Sequence, residues 1–370
     1  MVINLKSQTD LSGMYVLYEG STNLETTGIF GISHLCEHLV CKSFEHLMGD
    51  FDRDGIDWNA STDPNQILFY FTGLESKLDK YRNKILKSIS QFNVTKKEFE
   101  NERKIVISEY EDSFNSQDEC HALNLSRKLF NDYGPIGLKS DLENLKFMDC
   151  INFFELQYLR PSKIINVSKT KKMKDTEIEF SDLKINKRIE YSKHDVAFEL
   201  GNEFKDKTSL IMLSPIIEEN NAEVHFLNAM ISLGLKSPLY DEVREKRGLV
   251  YYIHCYQSRN NLQGITNIST ETSNKNVNEV IDTVEKLFKK NKDKFLNKER
   301  FELVRDYHLI KREKEEILRY RHVGKHLLPE GWSINNILDT IKLKDIKDIY
   351  EKYYDFSKFY ISSDKKEFKK

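Results

Sequence analysis

The chain has 370 residues and a formal charge of -2; that length exceeds one ordinary core and suits two domains of about 200 residues each. With 57 basic and 59 acidic residues in near balance, composition leaves no footprint for nucleic acid. Five cysteines without a C-x-x-C pair fit free thiols in a reducing compartment. No signal-peptide pattern opens the chain and no apolar run is long enough to span a bilayer, so the expectation is a cytoplasmic protein with no membrane partner.

In chain order, "GMYVLYEGS" (Gly13 to Ser21) reads as a strand and residues 28–44 as a helix. "QILFYFTG" (Gln66 to Gly73) is a second strand, residues 74–113 carry helical periodicity, and "KIINVSK" (Lys163 to Lys169) is a third strand. The charged, core-poor run "KTKKMKDTEIEFSDLKINKRIEYSKHD" that follows reads as an interdomain connection. The expected domains are therefore 1–177 and 178–370, α+β in character.

An internal repeat supports the division. "VTKKEFENERKIVISEY" from Val94 and "LNKERFELVRDYHLIKR" from Leu296 superimpose at an offset of 202 residues. Thr95 and Glu98 form a T-x-x-E capping box in the first copy, and Asn297 takes the N-cap position in the second, so both segments start helices. At this offset Glu102 falls opposite Val304 and Glu109 opposite Lys311. Whatever those two glutamates do, only the first half does it.

The chemistry concentrates in "GISHLCEHLV", Gly31 to Val40. His34 and His38 stand at i and i+4, so on a helix they present two imidazoles on one face, with Glu37 beside them. H-x-x-E-H is the inverted zincin order, whose glutamate serves as general base. A catalytic zinc needs a third protein donor. Glu102 and Glu109, two helical turns apart, share a face and are candidates, whereas Glu111 lies about 200° around from Glu109 and faces away. The alternatives at this point are ordinary core or surface histidines and a solvated acidic stripe.

Together, H-L-C-E-H at His34 to His38 and E-R-x-x-V-x-x-E at Glu102 to Glu109 resemble the pitrilysin family of zinc metallopeptidases, which includes insulin-degrading enzyme and the mitochondrial processing peptidases. The resemblance implies two homologous α/β-sandwich domains with antiparallel-rich sheets packed by helices. It further implies that His34, His38 and Glu109 bind Zn2+, that Glu37 is the catalytic general base, and that Glu102 is a supporting catalytic carboxylate. "NASTDPNQILFY" is similar to the family's N-A-x-T strand, which implies that Asn59 and Ala60 lie on an edge that takes substrate as an added strand. "SPLYDEVREKRGLVYY" resembles the segment whose arginine and tyrosine, here Arg244 and Tyr251, bind the substrate carbonyl and its developing oxyanion.

The chain departs from the family pattern twice. The 70 residues between His38 and Glu109 are several fewer than usual, and the shortening is expected in "KSFEHLMGDFDRDGIDW" (Lys42 to Trp58), taken as a loop. The short N-terminus is expected to trim the opening strands. The function implied is a zinc-dependent endopeptidase acting on peptides or unfolded protein segments, with a non-catalytic scaffold or peptide-binding subunit as the alternative. Larger relatives join four such domains in one chain, so the expected assembly is a homodimer, or a heterodimer with a homologous subunit, completing each site in trans.

Overall fold

The computed structural model describes residues 1–174, 178–183, 191, 206–259, 263–318, 333–365 and 367–368. The expected boundary at residue 177 lies outside them. Two compact units emerge: residues 1–113 with 132–187, and residues 114–131 with 188–370.

In the first unit, five strands form one sheet: β1 (Val2–Lys6), β2 (Leu11–Glu19), β3 (Asp57–Thr62), β4 (Gln66–Leu74) and β5 (Lys163–Ser168), in the order β1-β5-β2-β4-β3. Residues Val2–Lys6 supply an outer strand, β1, which pairs parallel with β5. Long aromatic and β-branched runs drive β2 and β4 together in antiparallel register from Leu11↔Leu74 to Glu19↔Gln66. Val16, Phe69 and Phe71 are fully buried there.

Helix α1 (Ile32–Ser43) buries Leu35, Cys36, Leu39 and Val40 completely. The stretch expected to be a loop is instead helix α2 (Glu45–Asp54), which ends at Gly55 in the left-handed conformation. Its sequence looks like a loop because charges and glycines surround the two apolar anchors. Those anchors, Leu47 and Phe51, are spaced i, i+4 and face the core, and this spacing makes the segment a helix. The helical stretch 74–113 divides into α3 (Glu75–Leu78), α4 (Arg82–Ile89) and α5 (Lys96–Asn115). The last break is set by Thr95, whose N–H donates to Glu98 Oε2 at 2.7 Å while its Oγ1 accepts from the Glu98 N–H at 3.2 Å. That is the expected capping box.

After α5 comes α6 (Gln117–Phe130), which belongs to the second unit; α7 (Lys139–Asn144) and α8 (Phe147–Gln157) return to the first. The second sheet contains β6 (Lys207–Leu213), β7 (His254–Arg259), β8 (Gly264–Ser273), β9 (Tyr360–Ser363) and β10 (Glu367–Phe368), in the order β10-β9-β6-β8-β7. Among the described residues four of its strands repeat the first sheet's pattern, and the outermost differs, since β10 pairs antiparallel with β9. Helices α9 (Asn221–Ser232), α10 (Pro238–Tyr240), α11 (Val277–Lys290) and α12 (Lys298–Leu318) accompany it. The start of α12 falls 202 residues after that of α5, and Asn297 Oδ1 caps it by accepting from the Arg300 N–H at 2.8 Å. Two homologous α+β units with largely antiparallel sheets are thus what the chain folds into. Val304, opposite Glu102 in the repeat, is fully buried in the second unit's apolar core.

Candidate metal centre

Everything about α1 orients its polar face. Its first turn is held by Glu25, a buried carboxylate that accepts from the backbone N–H groups of Gly31 at 2.9 Å and Ser33 at 2.8 Å. Burial pushes the Glu25 carboxyl up to about 7, against the lowering effect of those same hydrogen bonds. At Gly137 a Cβ would come within 2.4 Å of the Gly31 backbone, so a residue without a side chain is required where this loop meets the helix start. On the other side, Tyr158 OH donates to Ser33 O at 2.9 Å.

With its apolar face committed to the core, α1 presents His34 and His38 together. Their Nε2 atoms are 3.2 Å apart. Helix α5 buries Phe99, Glu102, Val106 and Tyr110 on one face and carries Glu109 at its margin. Glu109 Oε2 lies 3.5 Å from His34 Nε2 and 3.8 Å from His38 Nε2. One donor atom from each residue falls within a group spanning 4.8 Å. Tetrahedral coordination with bonds of about 2.0–2.1 Å places neighbouring donors about 3.3–3.4 Å apart, so these three separations match the edges of a zinc site closely. Two nitrogens and one carboxylate oxygen are also the donor set that zinc accepts in catalytic sites.

Glu102 occupies a different place. Its Oε2 accepts from His38 Nδ1 at 3.1 Å, which leaves the His38 Nε2 lone pair directed at the cluster, and its Oε1 lies 3.4 Å from Lys42 Nζ. The alternative carboxylate on this helix, Glu111, pairs instead with Lys139 at 2.6 Å. Burial, helped by the neighbouring His38, lowers the His34 pKa to about 4, so at neutral pH this imidazole is uncharged and offers a lone pair.

Glu37 is only 8% exposed, and burial raises its pKa while the hydrogen bond from Thr62 and the charge of His38 oppose the rise. Thr62 Oγ1 donates to Glu37 Oε2 at 2.7 Å. This contact was missed in the sequence, although strand parity carries the signal: Thr62 shares the inward face of β3 with Trp58 and Ala60. Among the described residues strand β3 is the outermost of its sheet and pairs with β4, and Asn59 faces solvent on it beside the half-buried Ala60. The first unit therefore brings His34, Glu37, His38, Glu102 and Glu109 into one cluster and joins it to the Asn59–Ala60 strand through Thr62.

Arg244 and Tyr251 belong to the second unit. Their segment bends at α10, which continues into the wide helical turn Asp241–Glu245. The Arg244 guanidinium carbon stands 4.7 Å from the Tyr240 ring centre and 5.1 Å from that of Tyr251, so the cation is stacked against both rings. Tyr251 is 80% exposed. Beneath them the buried Glu242 receives Lys246 at 2.7 Å, Arg247 at 3.0 Å and Lys294. Burial works against its charge, but these partners outweigh it and hold the carboxyl at about 2. Tyr240 and Glu242 were not singled out in the sequence, because a stacking ring and a buried carboxylate look the same there as any other.

Comparison with known proteins adds the following. Residues 4–135 match the family model "Insulinase (Peptidase family M16)", and residues 166–307 match "Peptidase M16 inactive domain". An uncharacterized zinc protease of Rickettsia felis is 24% identical over 352 residues, covering 88% of this chain and 85% of that protein. Zinc protease PqqE of Helicobacter pylori is 28% identical over 183 residues, 45% of this chain and 39% of that protein. Among solved structures, a protease from Helicobacter pylori superimposes with a TM-score of 0.79 at 16% identity, covering 98% of this chain and 96% of its own. A peptidase M16 inactive domain from Pseudomonas fluorescens gives 0.74 at 12% identity, with 98% and 94% covered. Among the described residues no helix is long and apolar enough to cross a membrane.

Proposed function

The chain belongs to the M16, or pitrilysin, family of peptidases, and from that premise we propose that it is a zinc-dependent endopeptidase cleaving peptides or unfolded protein segments. The observation that carries this reading is the convergence of His34 Nε2, His38 Nε2 and Glu109 Oε2 within 4.8 Å, beside a buried Glu37. When bound, zinc would supply Lewis acidity, bringing the pKa of a coordinated water towards about 7 and polarising the scissile carbonyl.

The remaining work falls to side chains. Glu37 Oε2 is occupied by the Thr62 hydroxyl, so Oε1 takes the proton from the attacking water and returns it to the leaving amine. The raised pKa of Glu37 suits both halves of that transfer. The outer edge of β3 at Asn59 and Ala60 orients the peptide by main-chain hydrogen bonds. Arg244 and Tyr251 bind the carbonyl oxygen as it gains charge.

Glu37→Gln tests the assignment: metal content is expected to stay at the wild-type level while cleavage of a random peptide mixture, read by mass spectrometry, disappears. Unchanged cleavage would remove Glu37 from the mechanism. The alternative, a non-catalytic scaffold or peptide-binding subunit, requires the wild-type protein to leave such a mixture intact.

We place the protein in the cytoplasm, since five cysteines with no C-x-x-C pair suit a reducing compartment. The working assembly is a homodimer, or a heterodimer with a homologous subunit, in which Arg244 and Tyr251 of one chain serve the metal of the other. The location of the metal cluster and of the Arg244–Tyr251 pair in two separate units motivates this arrangement. Mixing inactive Glu37→Gln and Tyr251→Phe chains should restore a fraction of the activity once subunits exchange; verified exchange without recovery refutes the trans site.

A further inference from the structure

Tyr251 is an exposed ring on an irregular stretch, residues 251–253, between the segment carrying Arg244 and strand β7. An exposed side chain in such a place has no orientation of its own; its neighbours must supply it. On the N-terminal side Val250 forms a bridge with Thr272, and Thr272 Oγ1 donates to Leu249 O at 2.7 Å. On the C-terminal side the next residue, Tyr252, is held in three ways. Thr270 Oγ1 donates to its carbonyl, its ring stacks on His254 at 5.2 Å, and its hydroxyl donates to Asp118 Oδ2 at 3.0 Å.

Asp118 is well suited to be a fixed post. It sits in the first turn of α6, where its Oδ1 accepts from Ser116 Oγ at 2.6 Å and from the Glu119 N–H at 3.0 Å, leaving Oδ2 for Tyr252. The helix is pinned to its sheet on either side of Asp118. Gln117 Nε2 donates to Lys207 O at 3.0 Å, and the buried His121 ring lies 3.0 Å from both Ser209 Oγ and Ser362 Oγ. A phenol donating to a carboxylate is a charge-assisted bond, stronger and more directional than a neutral one.

We infer that Asp118 and Tyr252 are positioning residues that fix the Tyr251 loop through one hydrogen bond, so that α6, which follows the Glu102 and Glu109 helix after the single residue Ser116, sets the pose of the proposed oxyanion contact. The inference rests on the reading of Tyr251 as a substrate contact. Neither residue touches the reacting atoms.

Two measurements on the full chain test it. Asp118→Asn and Tyr252→Phe should each lower kcat by about five- to tenfold on a quenched-fluorescent peptide, with KM and zinc content little changed. The double variant should be no worse than either single one, and Asp118→Asn should have no further effect in a Tyr251→Ala background. An equal further loss in that background overturns the inference, because Asp118 would then act elsewhere. The second measurement needs no activity: chymotryptic scission after Tyr251 should be faster in both single variants than in wild type, at an unchanged thermal midpoint. Unaltered scission overturns the inference as well. If instead Tyr251→Ala leaves kcat/KM untouched while scission is accelerated as expected, the loop anchor stands and the substrate-contact reading falls.

Discussion

Replacing Glu102 by Gln removes a charge while keeping the shape. The wild-type carboxylate is 6% exposed, accepts from His38 Nδ1 at 3.1 Å and lies 3.4 Å from Lys42 Nζ. A glutamine oxygen can still accept from Nδ1, so the ring keeps its orientation. What is lost is the negative charge that makes His38 Nε2 a stronger donor, and an amide NH2 is brought close to Lys42 Nζ. Partners of this kind are worth about 10- to 100-fold in metal affinity or activity, or about 1.4–2.7 kcal/mol. Glu109→Gln is a different perturbation. It leaves two imidazoles, fewer than the three protein donors a catalytic zinc requires, so zinc should be lost altogether on dialysis. Competition titration against a chelator, with metal content measured by mass spectrometry, separates the two. The expected order is wild type, then Glu102→Gln within two decades, then Glu109→Gln retaining no metal. The reverse order would transfer the donor role to Glu102, and small equal losses would refute the cluster as a metal centre.

Two further outcomes are expected. Phe51→Ala in α2 removes a fully buried ring packed against Phe71 and Tyr81, and should cost about 3–5 kcal/mol in urea unfolding; a loss below about 1 kcal/mol would show that α2 is dispensable. His121 has its pKa lowered by burial to about 4, below the unfolded value of about 6.5, so its contribution is complete above pH 6.5 and lost as pH falls towards 4. At most about 3 kcal/mol is at stake, and His121→Gln should shrink the stability difference between pH 7.5 and pH 4.5; an undiminished difference would exclude His121 as a source of acid sensitivity.

What the sequence disclosed was local. Thr95 with Glu98 and Asn297 with Arg300 are neighbours three residues apart, so both helix starts were legible, and with them the 202-residue repeat. His34, Glu37 and His38 lie within five residues, and helical geometry alone puts them on one face. The segment Lys42 to Trp58 was misread because its composition is that of a turn, while only Leu47 and Phe51 declare the helix. Contacts across the fold were invisible. Nothing in "QDECHALNLSRKLF" says which sheet α6 will join, and the bond from Tyr252 to Asp118 spans 134 residues. The Thr62 hydroxyl on Glu37 bridges 25 residues and became visible only with the strand register.

The chain order of the two units has a consequence for biosynthesis. The polypeptide enters the second unit at Phe114, leaves it after Asn131 and returns only beyond Lys187. Helix α6 therefore emerges from the ribosome before any strand of its sheet exists. The hydroxyls that receive His121 arrive only 88 and 241 residues later. Until then the buried face of α6, with Leu125 and Leu129, is an unpaired amphipathic surface on a nascent chain, the kind of segment that holdase chaperones bind. The two units are alike, yet no single cut of the chain separates them: a fragment ending at residue 177 carries a helix whose sheet is still untranslated.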